Sequence, residues 1–366
     1  MGESTVYVNL SPEVTNAYSS LWLEAMSATA RVQPIALARS LRPSRGDVLH
    51  LHWPDHFYPS RYKVVAWVRL VWLLAWLAAL RVRGASIVVT VHNVAAHDRT
   101  PELTDRLFWG VLPWLVHGVV VHAQCGRDIV LEARRAFRRV PILAVPHPLY
   151  PRTSEPRAGR ARTHISTLGS MRPYKRVDQL VGAYEQAVAE GRQLPPLYVA
   201  GQLSTGMEPT VRRLHELKEA GTNVQVDWRQ LEDAELEGAI DRSIAVAIPH
   251  LPSVASGSMI QVLSLGSLLV APDGPLTREL AADFPGQVLT YREPLGPDDL
   301  LEAVRLSQDR LDDHRDRPFG YQWSENASVH IDFYRRLSAD REGATKRSHR
   351  HEQPGTPPSP RRSKRP

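Results

Sequence analysis

Short apolar runs alternate with longer amphipathic stretches along most of the chain. Runs rich in β-branched residues predict strands, and apolar residues spaced three or four apart predict helices. The predicted strands of the first half are residues 6–10, 32–37, 48–52, 87–92, 119–122 and 142–146; those of the second half are residues 164–168, 197–200, 224–227, 244–248, 268–271 and 288–291. This alternation is typical of βα units, so we predict an α/β protein with parallel sheets.

A Pro-, Gly- and charge-rich segment lacking apolar periodicity divides the two halves. It predicts an N-terminal Rossmann-like domain at 1–150, a linker at 151–162 and a second domain at 163–326. A C-terminal helix is expected at 327–337 and a disordered basic tail at 338–366. One predicted strand, 32–37, contains Pro34, which cannot donate to a central ladder.

The most hydrophobic stretch spans residues 64–80, is flanked by Lys63 and Arg81, and is interrupted by Arg69. It is shorter than the roughly 20 apolar residues that a transmembrane helix needs. A core helix packed on the sheet is the favoured interpretation. Three tryptophans, Trp67, Trp72 and Trp76, lie beside Arg and Lys and also suit a helix in a membrane interface, which remains the alternative.

The composition indicates how many domains the chain can form and in which cellular compartment it functions. The 366 residues, 43% of them hydrophobic, suffice for two domains with separate cores. Cys125 is the only cysteine, which excludes an intramolecular disulfide and a cysteine-rich zinc site and fits a reducing cytoplasm. The first residues also lack the pattern of a signal peptide.

The basic charge is concentrated at the C-terminus. Residues 338–366 carry five of the six net positive charges of the chain. They contain no aromatic residue for base stacking, which argues against a nucleic-acid partner. Contact with an anionic membrane fits the same charges at least as well.

A basic turn follows the first predicted strand of the second half. Gly169 allows a tight turn there, and Arg172 and Lys175 lie where ligands bind in open α/β sheets, beyond the carboxyl ends of the strands. These two cations would neutralise a diphosphate. Considered alone, the segment also fits a solvated basic turn.

A second anion-suited element lies between residues 248 and 266, which read as strand, polar loop and helix. Ser256, Gly257 and Ser258 would cap that helix, whose free N–H groups and positive dipole end face the same crevice as Lys175. An ordinary serine cap is the alternative for this loop alone. Two such elements at one sheet edge favour a phosphate site.

Residues 5–337 resemble the group 1 family of GT-B glycosyltransferases. In that family a glycine-led loop ending in Pro-x-Lys-Gly-x-Asp opens the donor domain, and residues 169–178 are similar to it, with Arg176 replacing the second glycine. The arginine that usually follows the first glycine is Ser170 here. Arg172 would then stand in for it.

The Glu-x7-Glu motif of the family is altered in this chain. Its two glutamates correspond to Ser253 and Gln261. The sequence is similar instead to a subgroup with Ser-Gly-Ser before the donor-domain helix. In the first half, the runs Asn16-Ala17-Tyr18, His52-Trp53-Pro54 and Thr90-Val91-His92-Asn93 resemble bacterial exopolysaccharide and glycolipid glycosyltransferases, including β-mannosyltransferase-like ones.

The resemblance implies the GT-B fold, in which two Rossmann-like domains face a central cleft. It also implies transfer of a hexose from a nucleotide-diphosphate sugar to a saccharide or lipid-linked acceptor. No cofactor beyond this co-substrate is expected, and no metal, because Arg172, Lys175 and a helix terminus would neutralise the diphosphate. The expected donor-site residues are Gly169, Arg172, Lys175, Ser256, Gly257 and Ser258.

An inverting transferase needs a base that takes the proton of the acceptor hydroxyl. Asp55 and His97 follow strands of the first half and are the candidates, with Asp98 beside them. Each of them would otherwise be an ordinary loop residue. Three further histidines, His52, His92 and His147, fit either buried structural roles or cleft contacts.

Two other functions share this architecture. A non-hydrolysing nucleotide-sugar 2-epimerase requires carboxylates at the sugar-binding edge, where this chain has serine and glutamine. The loss of both family glutamates also fits a degenerate subunit that binds the donor without turning it over. Product analysis distinguishes these alternatives from a transferase.

Overall fold

The computed structural model describes residues 4–11, 16–93, 103–153, 162–250, 254–308 and 318–351, with side chains described as far as Arg341. The first sheet contains β1 (Thr5–Val8), β2 (Arg31–Pro34), β3 (Val48–His52), β4 (Ser86–Thr90), β5 (Gly118–Val121) and β6 (Ile142–Ala144). Its helices are α1 (Ala17–Ser27), α2 (Lys63–Val82), α3 (Leu103–Leu115) and α4 (Gln124–Ala133). The strand order is β2-β1-β3-β4-β5-β6.

The second sheet has the order β12-β11-β10-β7-β8-β9. Its strands are β7 (His164–Leu168), β8 (Leu197–Ala200), β9 (Val224–Asp227), β10 (Ser243–Ala247), β11 (Leu268–Pro272) and β12 (Val288–Tyr291). The helices are α5 (Val177–Ala189), α6 (Glu208–Glu219), α7 (Asp233–Asp241), α8 (Gly257–Ser264), α9 (Pro275–Asp283), α10 (Pro297–Gln308) and α11 (Trp323–His351). The predicted α/β class is confirmed, and each predicted strand is present with ends within three residues of the prediction.

Each sheet has one point at which the direction of the connections reverses. In the first sheet this point lies between β1 and β3, and in the second between β7 and β10. All pairings around these points are parallel. Open parallel sheets bind ligands in the crevice beyond the strand ends at such a point, so each half offers one crevice.

Pro34 lies in β2, at the edge of the first sheet. It pairs in register with Val8 of β1. An edge strand tolerates a residue without an N–H donor, which resolves the conflict between this proline and the predicted strand.

The C-terminal helix returns to the first half. Phe333 and Leu337 of α11 pack so closely over β5 that a Cβ on Gly118 would lie 2.8 Å from each. The expected helix at 327–337 is therefore too short, and the disordered tail does not begin at 338, because α11 is helical to His351. Helix propagation beyond a packed segment costs little, and the guanidinium of Arg341 donates to Ser86 Oγ at 2.9 Å. Residues 352–366 of the predicted tail lie outside the described residues.

The predicted linker is only partly described. Arg152 forms an ion pair with Asp241 of α7 at 2.7 Å, so the chain is already attached to the second half at that point. Residues 154–161 lie outside the described ranges, and the domain limits stay a prediction.

Candidate functional site

Two glycines shape the loop after β7. Gly169 has φ +97°, a left-handed conformation that favours glycine. A Cβ on Gly201, which follows β8, would lie 1.8 Å from the carbonyl oxygen of Gly169. The loops after these adjacent strands therefore touch backbone to backbone, and only glycine fits at residue 201.

Lys175 ends a 3₁₀ turn, Pro173–Lys175, that folds back over this loop. Its Nζ lies 3.9 Å from the position that a Cβ of Gly169 would occupy. Burial and, to a smaller extent, the positive charge of Arg172 lower the pKa of Lys175 to about 8. Among the residues that the structure describes, no carboxylate pairs with Lys175. A half-buried cation beside a second cation is suited to an anionic ligand.

Arg176 explains how the chain departs from the family motif. It has φ +53°, the left-handed conformation that the glycine of the motif would adopt freely. The cost for a non-glycine residue is about 1–2 kcal/mol. Arg176 also forms an ion pair with Glu293, which follows β12. The loop therefore keeps a left-handed residue at position 176.

The second anion-suited element is the N-terminus of α8. The hydroxyl of Ser256 caps the helix by accepting from the N–H of Met259 at 3.3 Å. Because β10 is the neighbour of β7, the loops that follow both strands lie at one sheet edge. The rings of Tyr174 and His250 meet there, with centroids 5.5 Å apart.

Gly257 begins α8 beneath a tyrosine from the interdomain segment. A Cβ on Gly257 would lie 3.2 Å from the hydroxyl oxygen of Tyr150. The backbone N–H of Tyr150 also donates to Ser264 Oγ at 2.8 Å. Tyr150 thus lies close to the start of α8 and is hydrogen-bonded to its last residue.

The first half carries a row of histidines at the corresponding sheet edge. Four neighbouring strands, β3 to β6, each end in or are followed by one histidine: His52, His92, His122 and His147. The ring of Tyr18, from α1, contacts all four, with centroid distances between 5.1 and 5.7 Å. We call these four residues the histidine row.

The histidine row is buried and uncharged. His52 Nδ1 lies 3.2 Å from His92 Nε2, and the Tyr18 hydroxyl lies 3.0 Å from His122 Nε2. Burial is the main cause that lowers the pKa of each ring, for His147 to about 4. At neutral pH the row offers hydrogen-bonding groups without charge.

Trp53 and Asp55 border the crevice between β1 and β3. Trp53 has φ +46°, which is rare for a bulky residue, and stacks on His92 with ring centroids 3.9 Å apart. The amide of Asn9 fixes the crevice by accepting from His52 N at 2.7 Å and donating to His52 O at 2.6 Å. Backbone strain of this kind is concentrated at functional sites.

Asp55 lies in the 3₁₀ turn Pro54–His56 that follows β3. Burial raises its pKa, the nearby Asp105 adds to the rise, and His56 opposes it. A carboxylate with a raised pKa is a better proton acceptor at neutral pH than an exposed one. The structure therefore keeps Asp55 as a candidate base, whereas His97, Asp98 and Ser253 lie outside the described residues.

The two crevices meet at a contact between the halves. Glu279 of α9 accepts from the backbone N–H groups of Gln124 and Cys125, at 2.7 and 2.9 Å, and so caps α4 of the other half. A cavity of about 10 Å³, roughly one water molecule in size, lies beside this contact. Its lining includes His122 and His147 from the histidine row and Ser256 from α8, which brings the row next to the predicted donor site.

Several of these residues were missed in the sequence. Glu279 contacts Gln124, at the start of α4, over a sequence separation of 155 residues. No local sequence pattern predicts such a pair. Tyr18 and Trp53 lay inside the quoted family-like runs, which was the available signal. Among the described residues, no group of three His, Cys, Asp or Glu side chains has the geometry to hold a metal ion.

Comparison with known proteins shows which proteins this chain is similar to. No family model matches the chain. A GDP-mannose:glycolipid 4-beta-D-mannosyltransferase from Xanthomonas campestris pv. campestris is 25% identical over 295 residues, 76% of either chain. The structure of Anabaena HepE in complex with UDP-glucose aligns with a TM-score of 0.57 at 13% identity, covering 93% of this chain and all of HepE.

S. aureus TarM aligns with a TM-score of 0.52 at 13% identity, covering 80% of this chain, which spans 53% of the length of TarM. At such identities the structural likeness bears on the fold, and it confirms the GT-B arrangement expected from the sequence. The predicted resemblance to glycosyltransferases is confirmed by the same relatives.

Proposed function

We propose that this chain, a glycosyltransferase of the GT-B fold, transfers a hexose from a nucleotide-diphosphate sugar to a lipid-linked or saccharide acceptor. The observation that carries the proposal is the half-buried Lys175, which has no carboxylate partner among the described residues and lies beside Arg172. A diphosphate between these cations and the N-terminus of α8 would supply the missing negative charge.

Each expected donor-site residue has a role in this arrangement. Gly169 and Gly257 leave room for the diphosphate to approach the backbone closely. Arg172 and Lys175 supply positive charge, and Ser256 caps α8. Ser258, in the first turn of α8, adds its backbone N–H to the anion site. With cations and a helix terminus stabilising the leaving diphosphate, the proposed reaction uses no metal.

GDP-mannose is the donor that we propose first, because the Xanthomonas relative uses it by name. The name of that relative also specifies a β-linked product, and we extend inversion to this chain. The acceptor oxygen attacks the anomeric carbon, the bond from that carbon to the diphosphate breaks, and a base takes the hydroxyl proton. Asp55 is the proposed base; His97 is the second candidate from the sequence.

The proposed location is the cytoplasmic face of the membrane, with the protein bound peripherally. Two observations support this. The Xanthomonas relative acts on a glycolipid by name. The helix α2 is long and apolar enough to enter a membrane, and only 33% of its most hydrophobic window is buried inside the protein.

A thermal-shift screen of the purified protein against GDP-, UDP- and dTDP-sugars tests the proposal. A donor at about 100 times its dissociation constant stabilises the fold by about 2.7 kcal/mol. We expect GDP-mannose to raise the melting temperature and to release GDP when an acceptor is present. Failure of every nucleotide sugar to stabilise the protein would contradict the proposal.

The same experiment separates the alternative functions. In this chain Gln261 of α8 stands where the family has a glutamate. This substitution supports the alternative that the protein is a degenerate subunit that binds the donor without turning it over. Donor binding without transfer or hydrolysis would identify such a subunit. Conversion of the donor to its 2-epimer would identify an epimerase.

A further inference from the structure

One side of α2 is fastened to the protein core. Leu70, Leu73, Leu77 and Leu80 are fully buried against the first sheet. The helix has the length and composition to cross a membrane, but leaving the sheet would expose to water the apolar sheet residues that the leucine stripe covers, among them Leu49, Ile87 and Val89. The helix therefore stays in the fold, which confirms its predicted packing as a core helix.

The opposite side of α2 is apolar and exposed. Val64, Val68, Val71 and Trp72 lie at helical spacing on one face, and between 59% and 75% of each residue is exposed. A soluble surface usually places charged residues on such a face. Here the face is as apolar as the buried one.

Helix α3 packs beside α2 and extends the apolar surface. Its residues Leu103, Leu107 and Trp114 are exposed as well, Leu103 to 69%. The guanidinium of Arg139 lies over the Trp114 ring at 3.4 Å and places a cation at the border of the surface. We call the exposed apolar residues of both helices the α2–α3 face.

The charges on α2 and on the residues that flank it have one sign. The sequence contains no Asp or Glu between Asp55 and Asp98. Exposed cations occur at both ends of α2 and within it: Arg61, Lys63, Arg69, Arg81 and Arg83. A surface of this kind matches an anionic bilayer, in which the headgroups are negative and the interior is apolar.

A further cation adds to the positive charge at the C-terminal end of α2. Arg341 of α11 reaches the C-terminal end of α2, where burial lowers its pKa and the charges of Arg81 and Arg45 add to the effect. Burial also lowers the pKa of Arg81. This accumulation of like charge favours a bound anionic group over another copy of the same surface, which would bring the cations face to face.

The α2–α3 face borders the crevice of Asp55. The turn that holds Asp55 directly precedes α2 in the chain. On the other side, Asp105 of α3 accepts from the Tyr58 hydroxyl at 2.6 Å and influences Asp55. The apolar surface and the proposed catalytic base are therefore neighbours.

We propose that the α2–α3 face docks on an anionic lipid bilayer, with α2 lying in the plane of the interface, and that it presents a lipid-linked acceptor to the crevice of Asp55. This inference rests on the proposed function for the acceptor step only. Docking itself is independent of it. Because the leucine stripe stays in the core, α2 inserts on one side and does not span the bilayer.

Co-sedimentation of the full chain with vesicles tests docking. The vesicles consist of phosphatidylcholine alone or of phosphatidylcholine mixed with phosphatidylglycerol. We expect binding to the anionic vesicles that falls as salt rises. The triple variant Val64→Gln, Val68→Gln and Val71→Gln should bind at least about tenfold more weakly, because three apolar side chains no longer enter the interface. Its melting temperature should stay unchanged, since these residues fill no core.

A control variant carries glutamine at exposed apolar positions elsewhere, Val188 and Phe319. It should bind vesicles like the parent. Equal recovery of the parent in the supernatant with both vesicle types overturns the proposal. A parent dimer that the triple variant converts to a monomer, with no vesicle binding by either, overturns it in favour of a subunit interface.

Transfer assays separate this proposal from the proposed function. With the acceptor in anionic vesicles, the triple variant should lose transfer in proportion to binding; with a short water-soluble acceptor analogue it should match the parent. Equal loss with both acceptors contradicts the acceptor-delivery role. Absence of transfer by the parent with either acceptor rejects the proposed function, while the vesicle result still decides docking.

Discussion

The two crevices occupy equivalent places in two parallel sheets, yet their chemistry differs. Between β7 and β10 the half-buried Lys175 lies next to Arg172, at the sheet edge where α8 begins. Beside β1 and β3 the protein has collected neutral, buried histidines and one carboxylate of raised pKa, Asp55. Among the described residues, the cations Arg172 and Lys175 therefore lie at one crevice, whereas the other holds neutral histidines and the carboxyl group of Asp55.

This difference matches the two tasks of a transferase. A diphosphate needs permanent positive charge, both for binding and for stabilising it as a leaving group. A hydroxyl acceptor needs hydrogen-bonding groups and one proton acceptor. Cations beside that proton acceptor would lower its pKa and weaken it as a base.

The largest effect is expected from the acceptor crevice. Asp55→Asn should lower turnover by about 10²- to 10⁴-fold, because the amide cannot take the hydroxyl proton. Donor affinity should stay unchanged, since the donor is held in the other half. Steady-state kinetics and donor titration measure the two quantities. Asp128→Asn, on the exposed surface of α4, is the matched control; full activity of Asp55→Asn would leave His97 as the candidate base.

Substitutions in the donor crevice are expected to change the affinity for the donor. Lys175→Ala should weaken donor binding about tenfold to a hundredfold, as a charge-assisted contact contributes about 1.5–3 kcal/mol. Arg172→Ala should act in the same direction if it replaces the family arginine at Ser170. Lys218→Ala, an exposed lysine of α6, should leave binding unaltered. The melting temperature without ligand should be that of the parent in all three variants.

Acid should destabilise the fold through the first half. The pKa of His50, His52, His92, His122, His147 and His330 is lowered by burial, for His147 and His330 to about 4. Below the ordinary histidine pKa of about 6.5 the unfolded chain binds protons that the folded chain does not. Stability is therefore complete above that pH and falls as pH drops from 6.5 towards 4, by up to about 1.4 kcal/mol per pH unit for each histidine.

Denaturant unfolding between pH 7 and pH 5 measures this slope, before most carboxylates begin to titrate. Replacement of one of the six buried histidines, His330→Leu, should reduce the pH dependence of the free energy of unfolding by the contribution of up to one proton. A free energy of unfolding that does not change over this pH range would show that the buried histidines do not control acid stability. Tryptophan fluorescence is a suitable probe, because Trp22 and Trp53 contact rings of this cluster.

The sequence was most informative where function depends on local backbone geometry. The loop around Gly169 and the cap at Ser256 were predicted because a turn glycine and a helix cap leave local signals. Strands were predicted because apolar runs between turn residues fix them. The donor-site assignment remains a prediction, because it is a statement about ligand binding and is tested by binding measurements.

Long-range contacts were beyond prediction from the sequence. The histidine row exists only because β3 to β6 are neighbours, so its members are scattered over about a hundred positions of the chain. The cap that Glu279 places on α4 joins two halves with no pattern common to both. The basic composition beyond residue 337 predicts disorder, yet α11 continues to His351, because alanine, arginine and lysine are good helix formers.

The most direct test of the account is whether Lys175 acts on the phosphates of the donor. Calorimetric titration of a nucleoside diphosphate and of the corresponding nucleoside into the parent and into Lys175→Ala forms a closed cycle. The account predicts that the substitution weakens the diphosphate about tenfold to a hundredfold and leaves the weak binding of the nucleoside unchanged. Equal affinity of both proteins for the diphosphate would contradict it.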